Sequence, residues 1–228
     1  SEDLKDINED RVFLYHCYAY TSKGFGHRSI DDLTDEYKKL KADKGKWIKE
    51  FTDELHMTFS NIKYLQGLKN KYLEKLIKIS MPYFIYPFLI KGLKYFKEDS
   101  NKLDKLFKTM EILSFRYKLI NSRSDIVSKL NHVLRRFEGD IDSLNADIKK
   151  TLNDNWYWSD TRVEEYLDGN MYENSMINYV LWEYEHSIQP AGYDSNKVKI
   201  YKEQIEHISP PTEDSEWVEA GYEVDEDN

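Results

Sequence analysis

The sequence predicts an all-α, multi-helix domain of roughly eight to ten helices, followed by a short truncated C-terminal segment with room for a strand. Three observations support this fold class. Apolar residues recur at helical spacing through most of the chain. They make up 40% of it, and charged residues make up 33%. The chain contains only 9 glycines and 5 prolines. Long amphipathic helices have this composition, whereas disordered chains contain too few apolar residues to form a core.

In the first third of the chain, Asn8 is placed to cap a helix that ends near Gly24 and Gly26. A second helix follows Ser29, and a third follows Gly45. A fourth ends before Ser80. The apolar stripes of these helices are Val12, Tyr15 and Ala19; Ile30, Leu33, Tyr37 and Leu40; Trp47, Phe51, Leu55, Ile62 and Leu65; and Leu68, Tyr72, Leu76 and Ile79.

A helix that is apolar on nearly every face is predicted after Pro82, and such a helix has to be buried on most sides. We expect it to start at Ser80 or Met81, and we expect Pro87 to end its first turn or kink it. Ser100 and Ser124 are the predicted caps of the next two helices. The remaining stripes are Leu103, Leu106, Phe107, Met110 and Leu113; Val127, Leu130, Leu134 and Phe137; Ile141, Leu144, Ile148 and Leu152; and Met176, Tyr179, Val180 and Glu183.

The pattern changes after residues 189–192, which read QPAG. Val198, Ile200 and Ile205 alternate with polar residues, which favours a strand, and an acidic stretch runs to the end. We therefore predict a helical middle domain over residues 1–189 and the truncated beginning of another domain over residues 190–228.

Charge is distributed unevenly along the chain. Residues 38–137 contain 23 basic and 10 acidic side chains, whereas residues 138–228 contain 6 basic and 23 acidic ones. A basic middle region fits either lysine-rich solvated helix faces or contact with a polyanion.

The location of the protein is predicted from its single cysteine and its N-terminus. Cys17 has no intrachain disulfide partner, and residues 1–10 are acidic and lack the apolar core of a signal peptide. The most apolar run, residues 77–93, is too short and too interrupted by charge and proline to span a bilayer. The sequence thus predicts a cytoplasmic, soluble protein without membrane contact.

Few motifs in the sequence carry chemistry. There is no glycine-rich phosphate loop, no GxSxG and no CxxC pair. Glu206 and His207 are the exception, because they place a possible metal ligand beside a possible general base just before a proline turn.

Residues 204–211, QIEHISPP, resemble the (D/E)HIxPQ motif that opens the C-terminal nuclease domain of GmrSD-type restriction enzymes. Residues 83–90 (YFIYPFLI) are similar to the YPFL helix of the helical region of that family. Residues 110–117 (MEILSFRY) and 180–185 (VLWEYE) resemble two further segments, in the family's order. Members of the family join a ParB-like nucleotidase domain to an HNH (His-Me finger) nuclease domain through this helical region.

The resemblance implies that His207 would be the general base that activates water, and that Glu206 would help to hold a divalent Mg²⁺ or Mn²⁺ in the complete protein. Pro211 departs from the pattern, which has Gln there, and the LGNL and DGQQR motifs of the catalytic domains do not occur in the chain. The expected function is therefore a helical region that links a nucleotidase to a nuclease in phage defence. The fragment itself is expected to be inactive, without a bound cofactor.

The implied partners are DNA, including modified phage DNA, and the protein's own N-terminal nucleotidase and C-terminal nuclease domains. The candidate DNA contacts are Lys63, Lys69, Lys71, Lys75, Arg116, Arg123, Arg135 and Arg136. If Arg116 is buried, the alternative is an ion pair with a helix carboxylate. The alternative function is a helical protein-interaction scaffold without a nucleic-acid role, and the basic middle region also leaves an RNA-binding module open.

Overall fold

The computed structural model describes residues 4, 7–21 and 29–189, and these contain ten α-helices, one short 3₁₀ helix and no strand. The all-α prediction and its helix count are therefore confirmed for this part of the chain. The helices are α1 (Glu9–Tyr20), α2 (Ser29–Lys39), α3 (Lys44–Gly67), α4 (Lys71–Lys78), α5 (Ile85–Phe96), α6 (Ser100–Ile120), α7 (Val127–Arg136), α8 (Ile141–Asn153), α9 (Asp160–Asp168) and α10 (Ile177–Ile188), with the 3₁₀ helix Trp156–Trp158 before α9.

The chain divides into two compact units, Ser1–Met176 and Ile177–Asn228. Helices α1 to α9 belong to the first unit and α10 to the second. The strand predicted beyond residue 197 lies outside the described residues, so the second domain stays a prediction. None of the described helices is both long enough and apolar enough to cross a bilayer.

Helix α5 is the centre of the first unit. Ten of its twelve residues are buried, and Phe88, Leu89 and Ile90 have no exposed surface at all. It contacts α1, α3 and α6, so three helices cover its faces. On α1, the Tyr15 ring stacks on that of Tyr86 with 4.6 Å between centroids. The prediction of a helix buried on most sides is correct.

Pro87 does not end the first turn of this helix, which runs unbroken from Ile85 to Phe96. The helix begins at Ile85, after a tight turn in which the Ile85 amide donates to the Pro82 carbonyl (3.0 Å). Pro87 therefore occupies the first turn, where a backbone N–H has no partner within the helix and its absence costs nothing. The expected start at Ser80 or Met81 was wrong because this turn is inserted before the helix.

Helix starts depend on capping side chains, and the sequence identified only some of them. Asn8 caps α1 as predicted, since its side-chain oxygen accepts from the Arg11 amide (2.9 Å). The cap of α6 is Asp99 instead of Ser100, and it accepts from the Lys102 amide (3.1 Å). Before α7, the carboxylate of Asp125 takes this role in place of Ser124 and accepts from the Ser128 amide. A carboxylate at this position also interacts favourably with the positive end of the helix dipole.

The other helices of the first unit are arranged around α6. Helix α4 packs along one part of α6, while α8, α9 and the 3₁₀ helix pack along another, and α7 packs against α8. The approach of α5 to α6 is close at Gly92, where an added Cβ would lie 2.2 Å from a Leu106 methyl carbon. The long helix α6 therefore connects the core around α5 to the C-terminal helices of this unit.

A buried histidine joins α1 to α3. The hydroxyl of Thr58 donates to the Glu54 carbonyl (3.1 Å), so its oxygen accepts from Nδ1–H of His16 at 2.8 Å. The imidazole is thus neutral with its proton on Nδ1. Its Nε2 is buried without a hydrogen-bond partner among the described residues. Burial lowers the pKa of His16 to about 4, against the raising effect of Glu54, and Lys94 lowers it further.

This burial predicts acid sensitivity of the fold. The folded-state pKa of His16 lies below its ordinary value of 6.5, so the unfolded chain binds more protons between the two values. The contribution of His16 to stability is fully present above the unfolded pKa and is lost as the pH falls toward the folded one. Between pH 7 and pH 4, the wild type should lose about 3 kcal/mol of unfolding free energy that His16→Gln does not lose.

Urea unfolding at both pH values measures the difference. His132→Gln is the matched control, because His132 is exposed on α7, and it should keep the pH dependence of the wild type. Equal pH dependence in the wild type and His16→Gln would contradict the prediction.

Candidate nucleic-acid interface

The four candidate lysines lie at the corner where α3 meets α4. Lys63 is exposed near the end of α3, Lys69 is exposed in the connection, Lys71 is exposed as the first residue of α4, and Lys75 is half-buried in its last turn. Lys63 and Lys69 form no ion pair with a described residue. Lys63 and Lys69 thus present positive charge that no described carboxylate pairs with.

Asn70 fixes the shape of this corner, hereafter the lysine corner (Lys63, Lys69, Lys71 and Lys75). Its side-chain oxygen caps α4 by accepting from the amides of Tyr72 (3.0 Å) and Leu73 (3.2 Å). Its side-chain nitrogen donates to Asp104 on α6 at 2.5 Å. A single residue therefore sets the start of α4 and ties it to α6.

Three of the candidate arginines are exposed, but they lie on other elements. Arg123 is in the connection from α6 to α7, and Arg135 and Arg136 end α7. Arg136 is already paired with Asp147 of α8 at 3.0 Å. The predicted contacts thus form two groups, the lysine corner and a set of arginines on and beside α7.

Arg116 takes the second of the two roles considered for it. Its side chain is 13% exposed, and it pairs with Asp160, the first residue of α9, at 2.5 Å. It also donates to the Trp158 carbonyl at 2.8 Å. Hydrogen bonding from Arg116 lowers the pKa of the Asp160 carboxyl. Arg116 therefore holds the 3₁₀ helix and α9 against α6.

Lys91 is a further cation inside the basic region, but it is buried in α5. Its ammonium donates to the carbonyls of Leu134 (2.8 Å) and Arg135 (3.4 Å) in the last turn of α7. These carbonyls have no partner within their own helix, and they form its negative end. Burial lowers the pKa of Lys91. Its role is to cap α7.

Glu206 and His207, the residues that the resemblance places in a nuclease site, lie outside the described residues. Within the described ranges, no group of three or more His, Cys, Asp or Glu side chains could hold a metal ion. The metal and catalytic roles of Glu206 and His207 therefore stay predictions.

A groove between α6 and α8 was not predicted from the sequence. It has a volume of about 470 Å³ and is lined by Lys105, Lys108, Thr109, Ile112, Leu113 and Arg116 of α6, by Asn145, Ile148, Lys149 and Leu152 of α8, and by Asp160. The residues at 105, 108, 112 and 116 recur at helical spacing. This mixed stripe of basic and apolar residues is the signal that could have indicated it.

The comparisons with known proteins identify no relative: no family model, no curated protein and no solved structure matches the chain. The similarity to GmrSD-type enzymes therefore rests on the residues quoted above.

The ion pair of Arg116 predicts a stability effect. Arg116→Ala should lower the free energy of unfolding by about 2 kcal/mol, because it leaves the Trp158 carbonyl without its donor and removes an ion pair whose arginine side chain is only 13% exposed. Arg123→Ala, at an exposed position, should change it by less than about 0.5 kcal/mol. Urea denaturation of both variants at neutral pH checks the prediction, and equal stability of the two would contradict it.

Proposed function

We propose that this chain is the helical region of a GmrSD-type restriction endonuclease and that its lysine corner contacts the DNA backbone. In this function the helical region links a nucleotidase domain to a metal-dependent HNH nuclease that acts on phage DNA. Its contribution is to hold the DNA and connect the two activities. The metal, when bound, would supply Lewis-acid chemistry at the scissile phosphate.

The observation that carries the DNA contact is the unpaired charge of two lysines in the lysine corner. Lys63 and Lys69 are exposed and have no ion pair among the described residues. Asn70 between them and α4 is fixed by three hydrogen bonds. Phosphate groups are bound by such positive charge without regard to base sequence. A structurally fixed corner of this kind supports backbone contact.

The family assignment is supported by the four ordered sequence matches and by where three of them lie. Residues 83–90 include the start of the central helix α5, residues 110–117 belong to α6, and residues 180–185 belong to α10. The first two segments are therefore core elements of the first unit. Similarity in such segments concerns packing residues as well as surface residues, which favours a shared helical domain.

The DNA contact predicts a charge-dependent affinity. The double variant Lys63→Glu/Lys69→Glu should bind a mixed-sequence DNA duplex at least about tenfold more weakly than the wild type. Its dependence of log K on log salt should be less steep by about 2, since each lysine neutralises one phosphate. Fluorescence anisotropy of a labelled duplex over a range of salt concentrations measures both quantities.

Lys46→Glu/Lys49→Glu is the matched control for this experiment. It makes the same change of charge on α3, at exposed lysines that already pair with Glu50 (3.8 Å) and Asp53 (2.8 Å). We expect a smaller loss of affinity in the control. Equal losses in both double variants would show that only net charge matters and would remove the lysine corner from the interface.

The nuclease activity predicts a role for His207. The full-length gene product, assayed with Mg²⁺ or Mn²⁺, nucleotide, and plain or modified phage DNA, should cleave DNA, and His207→Ala should cleave it about 10² to 10⁴-fold more slowly because it lacks the general base. His132→Ala, which changes an exposed histidine of α7, should retain full activity. Undiminished cleavage by His207→Ala would exclude this mechanism.

The alternative function, a helical protein-interaction scaffold, makes the opposite prediction. A scaffold would cleave no DNA substrate under any of these conditions, and its affinity for duplex DNA would be as weak with the lysine corner intact as without it.

A further inference from the structure

Polar contacts connect the two walls of the groove between α6 and α8. Lys105 pairs with Asp142 at 3.2 Å, and the Thr109 hydroxyl donates to the Asn145 side-chain oxygen at 2.6 Å. The first contact joins residues 105 and 142, and the second joins residues 109 and 145. Residue numbers rise along both walls in the same sense, so the two helices run in the same direction. Arg116 and Asp160 close the far end. These contacts fix the spacing of the two walls.

The floor of the groove is apolar. Leu113, Ile148 and Leu152 line it and are at most 4% exposed. Ile112 stands on the α6 wall with 47% of its surface exposed. An isoleucine in this position, continuous with a hydrophobic floor, provides apolar surface that a bound side chain would remove from water.

The charges on the two walls are not equivalent. Lys105 and Arg116, at the ends, are neutralised by Asp142 and Asp160. Lys108 on the α6 wall and Lys149 on the α8 wall line the middle, and neither forms an ion pair with a described residue. The middle of the groove therefore has positive charge on both sides of an apolar floor.

We propose that this groove binds a short acidic peptide segment of a partner protein, with an apolar side chain on the floor and carboxylates on both sides of it. The α6 wall from Lys105 to Arg116 is about 16 Å long. An extended peptide of about five residues spans this length. The carboxylates pair with Lys108 and Lys149, and the apolar side chain packs against Ile112.

The charge and the apolar surface together favour a peptide over DNA. Duplex DNA is bound through its charged phosphates, and these gain no binding free energy from a hydrophobic floor between the lysines. An acidic peptide can contact both the lysines and the apolar floor. Burial of its apolar side chain contributes affinity, and the charges of Lys108 and Lys149 contribute orientation and specificity. This inference does not depend on the proposed nuclease function, since no residue of the lysine corner lines the groove.

A random-sequence peptide library displayed on phage, selected against the full chain, tests the proposal. The selected peptides should be enriched in Asp and Glu on both sides of Leu, Ile or Phe. A labelled selected peptide should bind Lys108→Glu/Lys149→Glu at least about tenfold more weakly than the wild type, measured by fluorescence anisotropy. Ile112→Ser should also weaken binding while leaving its salt dependence unchanged.

The matched control is Lys63→Glu/Lys69→Glu, which makes the same change of charge outside the groove and should bind the peptide like the wild type. The same variants are tested with a labelled DNA duplex. Selected peptides that lack acidic residues, or that bind the groove variant as tightly as the wild type, would overturn the proposal. A duplex that loses affinity in Lys108→Glu/Lys149→Glu, with no change in peptide binding, would assign the groove to DNA instead.

Discussion

Helix α5 presents apolar side chains on almost every face, and it is stable only where other helices cover them. Helices α1, α3 and α6 provide this cover, with Phe88, Leu89 and Ile90 completely buried between them. Complete burial of a side chain of this size contributes about 1.5–3 kcal/mol. The arrangement of the first unit follows from this requirement, because each covering helix needs an apolar stripe directed at α5 and a polar face directed outward.

Three polar side chains of the first unit, those of Lys91, Arg116 and His16, are buried or nearly buried, and each forms hydrogen bonds to another part of the chain. Lys91 lies within α5 and reaches the last carbonyls of α7. Arg116 reaches the Trp158 carbonyl and Asp160 at the start of α9. His16 is kept neutral by its burial, and its Nδ1 donates to Thr58. A buried charge without a partner is costly, so these contacts restrict how the surrounding helices can be placed.

Two positively charged sites on the described surface of the first unit differ in chemistry. At the lysine corner, Lys63, Lys69 and Lys71 are exposed at helix ends and in a connection, where a phosphate backbone could contact them. In the groove between α6 and α8, Lys108 and Lys149 flank an apolar floor, which suits a peptide with carboxylates and one apolar side chain. Net charge alone does not separate these two proposed ligands. The apolar surface beside the charge does, because hydrophobic burial contributes only when a ligand has an apolar group to bury.

The sequence by itself determined the helical class, a range of eight to ten helices and most of the residues that face the core, because apolar spacing of three and four residues is a local property. It also indicated the capping role of Asn8, which acts on the amide three residues away. Tertiary structure decided the rest. The sequence left two roles open for Arg116, DNA contact or an ion pair with a helix carboxylate, and only packing places it against Asp160, a residue 44 positions away. The sequence contains the mixed stripe of the α6 wall of the groove, but it does not show which helix faces that stripe, since the two walls belong to helices that meet only after the chain has folded.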